Sequence, residues 1–218
     1  MAGEGAGPTK DDGFARQSRL SFIPMPDALR DHAVDNLRYI RDTMERATAF
    51  TSIPGWGGLA IGVTALATAV ISEPMTVWNP RRWLATWLIE AVVAAVIGGL
   101  SMWVKAERAG ARFMSGAARR FFISYFAPVI AGAVLTVAIV RGGTVEPLPA
   151  VWLLLYGTSF VSAGAFSIRV IPVMGVCFML FGVAAALLPL AVGNLLLGAA
   201  FGGLHILFGL IIARNYGG

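Results

Sequence analysis

WLATWLIEAVVAAVIGGLSMWV, residues Trp83–Val104, is the stretch whose reading decides the fold. It holds one charge, Glu90, and it is flanked by Arg81 and Arg82 on one side and Lys105 on the other. A bilayer's hydrocarbon core takes roughly 20 apolar residues of helix to cross. Outward from this stretch lie five more of the same kind, at about residues 55–72, 121–140, 150–166, 170–189 and 195–213. The one at 150–166 sits at the short end of what crosses. Composition agrees, with 57% hydrophobic and 13% charged residues in 218. The expected fold is all-α: a polytopic membrane protein of six transmembrane helices filling residues 55–214.

The connectors hold nearly all the charge and set the orientation. One side offers Arg38, Arg41, Arg46, Lys105, Arg108, Arg112, Arg119, Arg120, Arg169 and Arg214; the other offers Arg81, Arg82 and Arg141. Cations near span ends stay in the cytoplasm, so both termini are expected inside, with three short turns outside. The net charge of +5 is carried by these span-end cations, which orient helices and meet anionic headgroups. It is not a nucleic-acid footprint. Fifteen Arg against two Lys, with abundant Ala and Gly, points to a GC-rich bacterial genome and hence the inner (plasma) membrane.

Ahead of the spans, residues 1–26 mix Gly, Pro and charge without periodicity and are expected as a disordered cytoplasmic tail. No early apolar run resembles a cleavable signal peptide, so the first span is expected to serve as an uncleaved anchor. Asp27 is a plausible N-cap for an amphipathic cytoplasmic helix over residues 27–50. Its apolar stripe, Leu29, Ala33, Leu37, Ile40, Met44 and Ala47, recurs at a mean spacing near 3.6. Four Arg stand against five Asp/Glu in this stretch, whereas a helix built to grip anionic lipid is strongly cationic. The stripe therefore suits packing on the protein's own cytoplasmic surface or on a protein partner, and the basic segment 105–120 is a second candidate for a partner.

Two ionisable residues lie inside spans, Glu90 and His205, and such residues mark a functional hypothesis because mid-bilayer charge is costly. Asn194, Gly198, Gly202, His205 and Gly209 fall on one arc of a helix, and Gly198-x-x-x-Gly202 is a close-packing spacing. His205 is therefore expected to face the protein interior or a second copy of the chain. Glu90 shares a small polar stripe with Thr86 and Ser101, while Ala91, Ala95 and Gly99 form a second stripe for helix packing. The two stripes together put span 2 at the bundle's centre. From the outer boundary Glu90 and His205 differ in depth by roughly 5 Å, which permits a hydrogen bond between them. Pro128 is expected to kink span 3, and the tryptophans are expected mostly as interfacial belts.

Catalytic and metal chemistry find no support. His32 and His205 are the only histidines and Cys177 the only cysteine, so no His-rich metal centre, bis-His haem or disulfide is available to one chain. The phosphate-loop, zinc-protease and nucleophile-elbow spacings are absent from the sequence, and no cofactor is expected. The leading functional expectation is a non-enzymatic accessory or regulatory subunit that binds a cytoplasmic or membrane partner. The alternative is a small transporter or channel working through Glu90 and His205.

Overall fold

A computed structural model describes residues 3, 31–32, 34–40, 44, 50–75, 79–110 and 116–217. The chain divides into two units, Met1–Arg46 and Ala47–Gly218. In the first, residues 31–32, 34–40 and 44 have helical backbone and are exposed, and Arg38 lies 3.9 Å from Asp35. The rest of the tail and of the expected helix over 27–50, including Asp27, Leu29, Ala33 and most of the residues after Ile40, lies outside the described residues. So do residues 111–115 of the basic segment.

The second unit is all-helical among its described residues, apart from an isolated parallel bridge between Phe50 and Ser167. Its helices are α1 (Gly55–Ser72), α2 (Pro80–Arg108), α3 (Gly116–Arg141), α4 (Leu148–Gly164), α5 (Val170–Leu187) and α6 (Gly193–Tyr216). Five of them, all but α4, are long and apolar enough to cross a membrane; α4 is equally apolar but only 17 residues long. Helix α6 is composite: α-helical over Gly193–Leu197, π-helical over Gly198–Leu204 and α-helical again over His205–Tyr216.

Local chemistry explains where the helices begin and end. Helix α2 starts ahead of its apolar run because the Asn79 side chain accepts from the Arg82 N–H at 3.1 Å and Pro80 occupies the first turn. It ends at Arg108 because Gly110 turns left-handed, with φ of 61°. The basic segment therefore does not continue as one long helical extension. Leu188 is extended because Pro189 follows it, which closes α5 two residues before the expected limit. A short 3₁₀ turn, Leu190–Val192, then leads straight into α6. Asn194, one residue ahead of the expected sixth stretch, is inside this helix.

Successive helices run in opposite directions. At one end Lys105 donates to the carbonyls of Ile53 at 2.9 Å, Tyr216 at 3.1 Å and Gly217. There, too, the Phe50 N–H donates to Phe166 O at 2.7 Å and Ser167 Oγ returns a bond to Phe50 O. The opposite end gathers Ser72, Trp83, Trp152 and Asn194.

Missing side chains set the tightest seams. A Cβ on Gly62 would stand 2.7 Å from Gly202 O, and one on Gly209 2.7 Å from Leu59 N, so α1 and α6 touch backbone to backbone. Helices α4 and α5 do the same through Gly157 and Gly175, each facing the other's carbonyl oxygen. In lipid no hydrophobic drive brings helices together, and close backbone approach takes its place.

Helix α2 lies on the flank, not at the centre. Its buried residues are Trp83, Trp87, Glu90 and Ala106, while Ala91, Ala95 and Gly99 are exposed, and nothing lies within 4 Å of a Cβ built on Gly99. Small residues suit lipid as readily as a helix seam, so their stripe does not specify the buried face. Indoles and a carboxyl at i, i+4 and i+7 do.

Candidate functional site

Three polar nodes lie inside the bundle. Asn194 forms the first, near the end that holds the α1–α2 turn. Trp83 and Trp87, one turn apart on α2, both aim their indole N–H at Asn194 Oδ1, each at 3.0 Å, and Ser72 Oγ donates to the same oxygen at 2.9 Å. An indole N–H only donates, so the amide orientation is fixed. Its Nδ2 donates in turn to Ala69 O at 2.9 Å and to the Glu73 carboxylate. Trp83 stacks on Trp152 with centroids 5.8 Å apart, and Trp152 donates to Thr136 Oγ1 at 2.8 Å. One amide and its neighbours thus connect α1, α2, α3, α4 and α6.

Glu90 forms the second node. Its Oε1 is 2.8 Å from Thr64 Oγ1 and its Oε2 is 3.2 Å from Thr68 Oγ1, both on α1.

His205 forms the third. Its Nδ1 lies 2.8 Å from Phe201 O, which only accepts, so Nδ1 carries a hydrogen. In the neutral imidazole Nε2 is then the acceptor, taking the Tyr156 hydroxyl hydrogen at 2.9 Å. Tyr156, Phe160, Phe178 and Phe201 enclose the ring, with centroids 5.4 to 6.4 Å from it. Tyr125 stands edge-on to Tyr156. The backbone N–H of His205 goes to Gly202 O. The imidazole therefore takes Phe201 O, the carbonyl that an α-helical N–H at position 205 would occupy. A π-helical stretch is rare and frequently accompanies a functional site; here the side chain just after it completes its hydrogen bonding.

The structure brings Glu90 and His205 into separate networks, with no hydrogen bond between them. Thr86 turns back to Arg82 O at 2.9 Å, with Met75 Sδ at 3.8 Å, and takes no part in the Glu90 node. Ser101 packs against Gly57 instead. Helix α3 runs on through Pro128. Gly198, Gly202 and Gly209 line the α1–α6 seam, facing Ala69, Leu66 and Leu59.

Sequence reasoning missed Ser72, Glu73, Trp83 and Trp87 as partners of Asn194, and Tyr156 as the partner of His205. Trp56 and Trp103 are exposed as a belt requires, but Trp83 and Trp87 are 3% and 4% exposed. The available signal was periodic: Thr64, Thr68 and Ser72 on span 1 and Trp83, Trp87 and Glu90 on span 2 each define one helix face.

Among the described residues no three His, Cys, Asp or Glu side chains are grouped to hold a metal ion. Every buried side-chain nitrogen or oxygen among them has a hydrogen-bond partner. No known protein family's sequence pattern matches the chain, and no curated protein or solved structure matches it either.

Proposed function

We propose that this is a six-span inner-membrane protein with both termini in the cytoplasm, acting as a non-enzymatic accessory or regulatory subunit. One observation carries the reading. The polar groups inside the bundle are engaged with one another, Asn194 with four side chains, Glu90 with two threonines and His205 with Tyr156. Groups held in this way fasten helices. The exposed cations Arg108, Arg119, Arg120, Arg169 and Arg214, by contrast, form no ion pair among the described residues. They lie toward the end that Lys105 clasps, against Arg81, Arg82 and Arg141 toward the other, which supports the orientation. Helix α4, as the sixth span, crosses with its flanking turns at the interface.

Residues 27–50 and residues 105–120 are each proposed as partner-binding segments. Deleting residues 1–46, the first unit, abolishes capture of the partner from detergent-solubilised membranes while the bundle, which keeps Phe50, stays folded; undiminished capture dismisses the proposal. Proton or polar-substrate transport is the second reading, supported by Glu90, which bonds hydroxyls and no cation among the described residues. Proteoliposome flux unchanged in Glu90→Gln and His205→Ala removes it.

A further inference from the structure

Two helices carry the same pattern at the same end of the bundle. On α3, Arg119 is followed at i+4, i+7 and i+11 by Ile123, Phe126 and Ile130. At the head of α5, Arg169 is followed at those spacings by Val173, Val176 and Leu180. Residues so spaced fall within about 60° of arc on a helix. The six apolar side chains are between 49% and 64% exposed, and both arginines are exposed too. Each arginine therefore stands at the foot of an open apolar stripe, and the exposed Arg120 stands beside the first.

Phe50 holds the two feet together. Its ring packs on Phe121 and Phe122 of α3, with centroids 4.9 and 5.6 Å away. Its backbone bonds Phe166 and Ser167, in the turn that leads to Arg169. Arg119, Arg120 and Arg169 form no ion pair among the described residues. In a bilayer the stripes face acyl chains, and an arginine at a stripe's end lays its stem on the apolar surface while its guanidinium reaches headgroup level. That guanidinium is a planar fork that matches two phosphate oxygens. A free phosphate would use the forks and leave the stripes idle; a phospholipid uses both.

We propose that the feet of α3 and α5 bind an anionic phospholipid, its headgroup on Arg119, Arg120 and Arg169 and its acyl chains along the two stripes. Such binding goes beyond the partner reading and presumes only a bilayer around the helices. The test offers the full chain, in detergent micelles, equal amounts of phosphatidylglycerol and phosphatidylcholine with the same acyl chains. Native mass spectrometry reads the lipid retained.

The expected result is phosphatidylglycerol retained over phosphatidylcholine by at least about tenfold, each cation near an anionic surface being worth about fivefold. The preference vanishes in Arg119→Gln/Arg120→Gln/Arg169→Gln and persists in Arg81→Gln/Arg82→Gln at the opposite end. Should the triple variant lose the wild-type melting curve, Arg169→Gln alone decides, with a preference lowered about fivefold expected and an unchanged one contrary. Equal retention of the two lipids by wild type overturns the proposal and leaves the bilayer reading standing. So does an undiminished preference in the folded triple variant, an equal loss in Arg81→Gln/Arg82→Gln, or displacement of the lipid by inorganic phosphate at the same concentration. A chain that stays monodisperse without detergent and retains neither lipid overturns the bilayer reading instead.

Discussion

Asn194→Leu replaces the amide at the convergence of five helices with an apolar side chain of similar size. The wild-type amide accepts from Ser72, Trp83 and Trp87 and donates to Ala69 O and Glu73. Interhelical hydrogen bonds in lipid average about 0.6 kcal/mol each, so five are worth about 3 kcal/mol. An independent route considers the donors left behind. Ser72 Oγ falls back on Ala69 O, already 3.3 Å away, but no second acceptor lies within hydrogen-bond reach of either indole N–H. Two stranded buried donors cost about 2–6 kcal/mol.

The two routes overlap at about 3 kcal/mol, which is the loss expected in reversible unfolding of the detergent-solubilised protein followed by tryptophan fluorescence. The same substitution made in a Trp83→Phe/Trp87→Phe background, where no indole N–H remains to strand, is expected to cost about 2 kcal/mol less. A loss below about 0.5 kcal/mol in the wild-type background, or equal losses in both, refutes the assignment of Asn194 as the polar hub.

Gly62→Leu is expected to prevent folding, because a Cβ there already reaches within 2.7 Å of Gly202 O, whereas Gly99→Leu, with open space around it, keeps the wild-type melting temperature; comparing the two by size-exclusion profile and melting curve checks this. Lys105→Met removes the donor shared by Ile53, Tyr216 and Gly217. Hydrogen bonds to a charged group are each worth about 1.5–3 kcal/mol, so limited proteolysis is expected to cut near residue 214 in this variant and not in wild type. His205→Phe keeps the aromatic packing but leaves Phe201 O without its imidazole donor; amide exchange across residues 198–206 is expected to accelerate while α4 and α5 stay protected, and unchanged exchange contradicts the role given to the side chain.

The helical class, the membrane setting and most helix limits are legible in the sequence, because apolar length is a direct consequence of bilayer thickness. The first span is expected and observed to end at Ser72, where Glu73 and Pro74 follow. What is not legible is which face of each helix is inside. In water, burial follows hydrophobicity; in lipid the outside is as apolar as the core, so Ala91, Ala95 and Gly99 resemble a packing stripe yet lie exposed. Tryptophan is ambiguous for the same reason, since its amphipathic ring suits both an interfacial belt and a buried donor. The polar residues were found, but their pairing was not. Glu90 and His205 sit at similar depth, and depth says nothing about azimuth: Glu90 faces α1 and His205 faces α4.

The account stands on a bilayer surrounding residues 55–214 with the Lys105 end inside, and impermeant thiol labelling in intact cells tests that most directly. In a Cys177→Ala background, Glu146→Cys is predicted to react from outside, and Arg214→Cys only after the membrane is opened. Reaction of Arg214→Cys in unbroken cells, or recovery of the protein in the soluble fraction without detergent, contradicts it.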